Sequence, residues 1–342
     1  MKFLYATLAG ALSLLTISAF TACDATFHDN LSDCRHTLWV TMAKNDCNAQ
    51  SNAQYVAPAG DVRILAFDKN GFLAADTSWT QNDARQVQRI GLHTLTAGNY
   101  TVLGWAGISS QWEHKPLEIG KTHLSDVLLK HRNVPNEASD LKAPTRLVDL
   151  NGSHTWTGRN TTFVKFPAPS EVGSTEQEVQ LNMHEQTFQI SLQVDVDTNT
   201  FDGKNDISAN DFDVEVEVWQ QEYRMDGTPV VMDKIHEVRG FVVPINTTRT
   251  KEQIKGSFTV PALTARDSKV KLTLVNRTNG KVVEQGTFDL LALLMLQQDF
   301  DPSCARGAKL LFKLKDRCLC GQIACEEVWV DGVKLGKFSN AK

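Results

Sequence analysis

Thr187-Phe188-Gln189-Ile190-Ser191-Leu192-Gln193-Val194-Asp195-Val196 decides the fold class, because every second residue is apolar and the residues between are polar. That period of two belongs to a strand with one buried and one wet face. The pattern recurs on both sides of this stretch. Phe212, Val214, Val216 and Val218 alternate with Asp213, Glu215 and Glu217, and Val270, Leu272 and Leu274 repeat it, as do Leu310, Phe312 and Leu314. Upstream, Val62–Phe67 and Tyr100–Trp105 are apolar almost throughout and predict strands buried on both faces. Asn-Gly or Asp-Gly pairs stand between such runs at 70–71, 151–152, 202–203, 226–227, 279–280 and 331–332. These residues tolerate the positive φ that tight turns need. Asn279-Gly280 and Asp331-Gly332 have apolar-patterned segments on both sides and predict hairpins. One helix is expected, in Phe288–Gln297, where Leu290, Leu291, Leu294 and Met295 fall at helical spacing; a buried strand is the other reading of that run. Many short strands with dense turn signals predict an all-β protein built of β-sandwiches, not α/β units.

A chain of 342 residues has room for two such domains. The polar stretch 168–178, with Pro169 and no apolar periodicity, predicts a linker. It separates an N-terminal domain, 23–167, from a C-terminal domain, 179–342, each long enough to bury its own core. A hydrophobic share of 42% with 22% charged residues excludes a disordered or polytopic membrane chain. The net charge of −5 gives no electrostatic reason to expect nucleic acid as a partner.

The first 22 residues read as a secretory signal: Lys2, an apolar run from Phe3 to Phe20, then Thr21-Ala22 before Cys23. The run is short for a membrane span and no basic stop-transfer flank follows it. A cysteine directly after a small residue resembles a bacterial lipobox, which makes Cys23 the lipid attachment site, with palmitate among the chains expected there. Phe20 stands where lipoboxes usually have Leu. An ordinary secreted protein with Cys23 in a disulfide is the alternative. Two or three acyl chains, at about 0.8 kcal/mol per buried CH₂, would hold the chain on a membrane.

Catalytic signatures are missing from the sequence: there is no Gly-x-Ser-x-Gly elbow, phosphate loop, dinucleotide fingerprint or His-Glu-x-x-His helix. No enzyme, cofactor, metal or small-molecule substrate is therefore expected. The loop 195–206 carries oxygen ligands at alternate positions, but Thr200 replaces the glycine of an EF-hand and no glutamate closes it, so a solvated loop is expected. With Cys23 given to lipid, Cys34, Cys47, Cys304, Cys318, Cys320 and Cys325 remain, an even number in an exported chain, and they are disulfide candidates with 15 possible connectivities. Cys34 and Cys47 form a local pair, and the last four are expected to staple the C-terminal hairpins. A four-thiolate zinc site is the rival, weakened by the lack of paired Cys-x-x-Cys knuckles. Trp105, in an apolar strand, is expected in the core; Trp79 and Trp112 lie in polar sequence and are the candidates for an exposed sugar-binding platform.

Asp29-Asn30-Leu31-Ser32-Asp33-Cys34 after the lipobox, Phe67-Asp68-Lys69-Asn70-Gly71 and Ala97-Gly98-Asn99-Tyr100-Thr101-Val102-Leu103-Gly104-Trp105-Ala106-Gly107 together resemble the FimB-type anchor subunits of type V fimbriae in Bacteroidales. Asn210–Val216 and Trp329-Val330-Asp331-Gly332-Val333 continue the resemblance in the second half. It implies two tandem transthyretin-like β-sandwiches, a lipid anchor in the outer membrane and a role as the base or length-limiting subunit of a fimbrium, with shaft or accessory subunits as partners. The cysteine-rich tail departs from the family. Docking by strand addition would use an edge strand of the N-terminal domain or the final hairpin through Val328, Val330 and Leu335. The other readings are a surface glycan-binding lipoprotein and an exported hydrolase.

Overall fold

The computed structural model describes residues 34–44, 55–86, 89–132, 134–135, 146–168, 173–199, 207–219, 222–224, 230, 240–263, 270–302, 304–316 and 323–337. Cys23, Cys47, Cys318 and Cys320, the turns at 202–203 and 226–227, and most of the candidate calcium loop lie outside them.

The described chain is almost entirely strand. The first sheet runs Leu73–Gln81, Gly60–Phe67, Gly98–Ile108, Trp156–Arg159, Glu176–Glu185, His36–Lys44, Ile90–Leu95. Its end strands, Leu73–Gln81 and Ile90–Leu95, approach one another, so the sheet curls around a core that includes Leu38, Val40, Ile64, Val102, Leu181 and Met183. The second sheet folds into a sandwich. One layer contains Asn246–Arg249, Gln253–Pro261, Thr187–Val196, Gly307–Asp316 and Ile323–Val330; the other contains Val282–Asp289, Val270–Asn276 and Phe212–Val218, and one bridge, Glu284↔Ala324, joins them. The alternation in Thr187–Val196 does what its period requires: Phe188, Ile190, Leu192 and Val194 are buried while Gln189 and Ser191 face water.

The turn chemistry explains the hairpins. Asp331 and Gly332 take φ of 48° and 82°, the paired positive values of a two-residue turn whose twist matches its strands. Asn276 starts the other turn, its Oδ1 accepting from the N–H groups of Thr278 and Asn279. The helical run is shorter than its spacing suggests. Strand Val282–Asp289 continues through Phe288, and Asp289 caps a helix of only Leu290–Leu294 by accepting from the Ala292 N–H at 2.8 Å. Met295 is consequently exposed.

The two halves of the sequence do not coincide with the two sheets. Strand Glu176–Glu185, which includes residues of the expected linker, pairs in parallel with His36–Lys44 and antiparallel with Trp156–Arg159 in the first sheet. The chain passes into the second sheet at Gln186, not across 168–178, and continues at once as Thr187–Val196. Local polarity marks 176–178 as loop-like because the start of that strand is wet on both faces, whereas Leu181 and Met183 are fully buried. In the reverse direction, Val134–Pro135 and Arg146–Leu147 extend the second sheet through Phe241–Val242. Strand Glu222–Arg224 pairs with Leu128–His131 of the first half. A single apolar cluster holds Phe67, Leu103 and Trp105 of the first sheet together with Phe188, Phe212 and Phe312 of the second.

Candidate functional site

Two regions stand out in the fold: the polar junction between the two sheets and the open strand edges. The junction is built from polar residues that the fold buries. Gln186 donates its N–H to the Thr155 carbonyl at 2.6 Å and accepts from the Ala262 N–H at 2.9 Å. Glu185, 7% exposed, receives the Thr187 hydroxyl at 3.1 Å and lies 2.9 Å from His154 Nδ1. Trp112 Nε1 donates to Ser153 Oγ at 3.2 Å, and Thr187 Oγ1 donates to the Ser153 carbonyl. Asn151, from one of the Asn-Gly pairs, bridges the halves: its amide donates to the Pro244 carbonyl at 3.0 Å and its Oδ1 accepts from the Thr259 N–H at 3.1 Å. Asn151→Ala strips both bonds and leaves a main-chain donor and acceptor unpaired. It should lower unfolding free energy by about 1–3 kcal/mol, read as a reduced urea midpoint with unchanged slope.

The open edges lie in the second sheet. Asn246–Arg249 is a terminal strand with three exposed residues, and Val333–Lys337 lies outside Ile323–Val330. The first sheet offers less than its sequence suggests, since its end strands turn towards each other. The final hairpin presents main chain, not the side chains expected: Val328 and Val330 are fully buried and Leu335 packs on the core, while Val333 is 56% exposed. Beside it, on the outer face, a groove of about 430 Å³ is lined by Ser191, Gln193, Lys255, Lys309, Leu311 and Trp329, among others. Lys313 and Lys334 place ammonium groups 5.3 and 5.5 Å from the Trp329 ring, and its Nε1 donates to Glu327 at 3.1 Å. Hydrogen bonds from Lys334 and Trp329 hold the Glu327 carboxyl down to about 2.

Trp79 and Trp112, the candidates for a sugar-binding platform, do not form one. Trp112 is 3% exposed, against His131 and Tyr223, and Trp79 is half-buried on strand Leu73–Gln81 against the first core. Their polar neighbours face water while the rings turn in, which a loop-like reading of local composition misses. Trp105 is buried as expected, at 1% exposure. Among the described residues no group of three or more His, Cys, Asp or Glu is placed to hold a metal ion. Asp197, in the candidate calcium loop, has its carboxyl held low first by the Asn199 N–H. Cys34 and Cys325 are buried. Cys325 pairs opposite Leu314, whereas Cys304 precedes Gly307 at the other end of the same strand. Seven residues of strand separate those ends by about 23 Å, so Cys304 and Cys325 cannot share one zinc ion or one disulfide.

Residues 31–322 match the family of fimbrillin-A associated anchor proteins Mfa1 and Mfa2. The chain belongs to this family. Among its relatives is the minor fimbrium anchoring subunit Mfa2 of Porphyromonas gingivalis, 23% identical over 125 residues, a match spanning 36% of this chain and 38% of that protein. The solved fimbrial anchor protein Mfa2 from the same organism has a TM-score of 0.71 at 17% identity, covering 89% of this chain and all of that one. A Bacteroides thetaiotaomicron protein described as a putative polysaccharide binding protein matches at 0.61 and 18% identity over 90% of this chain and 99% of its own. At these identities the solved structures establish the fold, tandem all-β sandwiches, and the family establishes a fimbrial anchor protein of the Mfa2 type.

Proposed function

We propose that this chain is the lipid-held base of a fimbrium. Cys23, acylated after removal of residues 1–22, keeps it in the outer membrane. An open edge of the second sheet receives a strand from the neighbouring subunit, and growth stops where the base is docked, which limits fimbrial length. Strand addition gains main-chain hydrogen bonds and apolar burial together.

The observation that carries this reading is the placement of His36–Lys44, the first described strand after Cys23. It lies between two neighbours in its sheet and runs parallel to Glu176–Glu185, in register from Thr37↔Glu176 to Lys44↔Met183. That neighbour continues through Gln186 into the second sheet. Tension between a lipid at the N-terminal end and a subunit held by the second sheet therefore acts along the ladder. It loads all of the bonds at once instead of peeling them singly. Among the described residues no helix is long and apolar enough to cross a membrane.

Cys23→Ala tests the anchor. The variant should leave the membrane fraction, take up no labelled palmitate, keep its folded domains and release fimbriae into the medium. A variant that still fractionates with membranes, beside a wild type that takes up no palmitate, would defeat the reading. Deletion of the gene should give detached or longer fimbriae. A surface glycan binder would instead change its tryptophan fluorescence with a polysaccharide, and an exported hydrolase would lose turnover on mutation of one acid or histidine.

A further inference from the structure

We propose that the groove beside the final hairpin docks an extended acidic segment of a protein partner, whose carboxylates meet Lys255 and Lys309 while an apolar side chain lies on Leu311. The groove crosses the outer face of the second sheet. Lys255 stands opposite Gln193, Gln193 opposite Leu311, Leu311 opposite Trp329 and Trp329 opposite Lys334, so one row at right angles to the strands carries them. Lys309 lies opposite Ser191, at the next outward-facing position along the strands.

The charge of this row is unbalanced, because the carboxylates around it are committed elsewhere. Glu327 is shared by Lys313, at 3.2 Å, and Lys334. Asp331 accepts the Lys309 main-chain N–H at 2.8 Å, and Asp195 accepts from Gln193 Nε2 at 2.8 Å. The Lys255 and Lys309 side chains are exposed and have no ion-pair partner among the described residues. Gln193 spends its amide N–H on Asp195, which turns its Oε1 into an acceptor for an incoming main-chain N–H. Two unpaired ammonium groups with an amide acceptor between them suit a peptide that carries carboxylates.

The geometry favours a peptide over a sugar. The Trp329 ring already holds the Lys313 and Lys334 ammonium groups at 5.3 and 5.5 Å, and a pyranose stacking there competes with them. Strands about 4.8 Å apart, with a rise of about 3.3 Å per residue, put the Lys255 and Lys309 Cα atoms about 12 Å apart. Carboxylates roughly two to four residues apart on an extended chain match that span. Met295, Leu296 and Val333 are exposed beside the groove, and Gln297 ties their loop to the hairpin by donating to the Val330 carbonyl at 2.9 Å. A charged groove next to exposed apolar side chains has the make-up of a protein interface.

That the partner is the neighbouring fimbrial subunit rests on the anchor reading. The groove adjoins the open edge Val333–Lys337, so a subunit that reaches this edge meets the groove as well. Attraction between its carboxylates and the two lysines speeds the encounter, fixes the orientation of docking and weakens as salt rises.

The test is fluorescence anisotropy of a labelled, acetylated peptide of repeating Glu-Val-Ser, titrated at low salt with the full mature chain. Binding should saturate, and Lys255→Gln combined with Lys309→Gln should weaken it about tenfold. Lys69→Gln, in the first half of the chain, should leave it unchanged. The double variant should keep the wild-type urea midpoint, since both side chains are exposed. A Lys-Val-Ser peptide should not bind. Absence of saturable binding, equal binding by the double variant, or binding of trigalacturonate without binding of the peptide overturns the proposal. In cells, Lys255→Glu with Lys309→Glu should release fimbriae into the medium while the chain itself stays in the membrane fraction; fimbriae retained as in wild type overturn the fimbrial partner. The titration needs neither lipid nor fimbriae, so a failed Cys23→Ala experiment strikes the anchor reading alone and a failed titration strikes the groove alone.

Discussion

His131→Phe should remove much of the acid sensitivity of this protein's stability. His131 ends the short strand Leu128–His131 and is fully buried, its ring 4.3 Å from Trp112 and 5.2 Å from Tyr223. Among the described residues neither ring nitrogen has a hydrogen-bond partner. Burial lowers its pKa from 6.5 to about 3, because nothing in this aromatic pocket offsets the desolvation of an imidazolium. Between those values the unfolded chain binds a proton that the folded chain refuses. Stability must therefore fall as pH drops from about 6.5 towards 3, by about 1.4 kcal/mol per unit over most of that range. Phenylalanine fills similar space and stays neutral. Urea unfolding at pH 7 and pH 4 should show wild type losing about 3 kcal/mol more than the variant over that interval. The neighbouring Lys130, 3.7 Å from Glu113 and 4.0 Å from Glu222, is unchanged by the substitution and contributes equally to both proteins. Equal losses in the two proteins would show that His131 is not the group responsible.

Gly107→Ala should be among the most damaging single substitutions. Gly107 lies near the end of the long strand Gly98–Ile108 with φ of 74°, a left-handed conformation that a side chain disfavours. A Cβ there would fall on the carbonyl oxygen of His154 and against the Pro58 ring. The space is missing because Thr155 closes onto this turn, its hydroxyl donating to the Gly107 carbonyl at 3.2 Å. Left-handed strain and overpacking together should cost roughly 3–5 kcal/mol, enough to depress soluble yield and the thermal midpoint. Gly152, also at positive φ but with open space around it, is the control: alanine there should pay the strain alone, about 1–2 kcal/mol. Equal effects at the two positions would remove packing from the explanation.

Much of the fold is written in local pattern. Period-two alternation placed Thr187–Val196, Phe212–Val218, Val270–Asn276 and Gly307–Asp316, and Asp331-Gly332 placed its hairpin, because these signals depend only on residues adjacent in the chain. Trp112 shows where such reading stops. Its neighbours are polar, yet it is buried by Tyr223, more than a hundred residues later, and by His131. Glu176–Glu185 was obscured in the same way: its wet first half resembles a linker until His36–Lys44 pairs alongside it.

The sequence by itself determined the all-β class, the turns at 70–71, 151–152, 279–280 and 331–332, Cys23 as the candidate anchor and the resemblance to fimbrial anchor subunits, since each is carried by contiguous residues. Only the tertiary structure decided where the sheets meet, which edges stay open and that Cys304 and Cys325 stand too far apart to pair. Those depend on register and on pairings between residues far apart in the chain. A one-residue slip in such a pairing changes every neighbour without altering the local pattern.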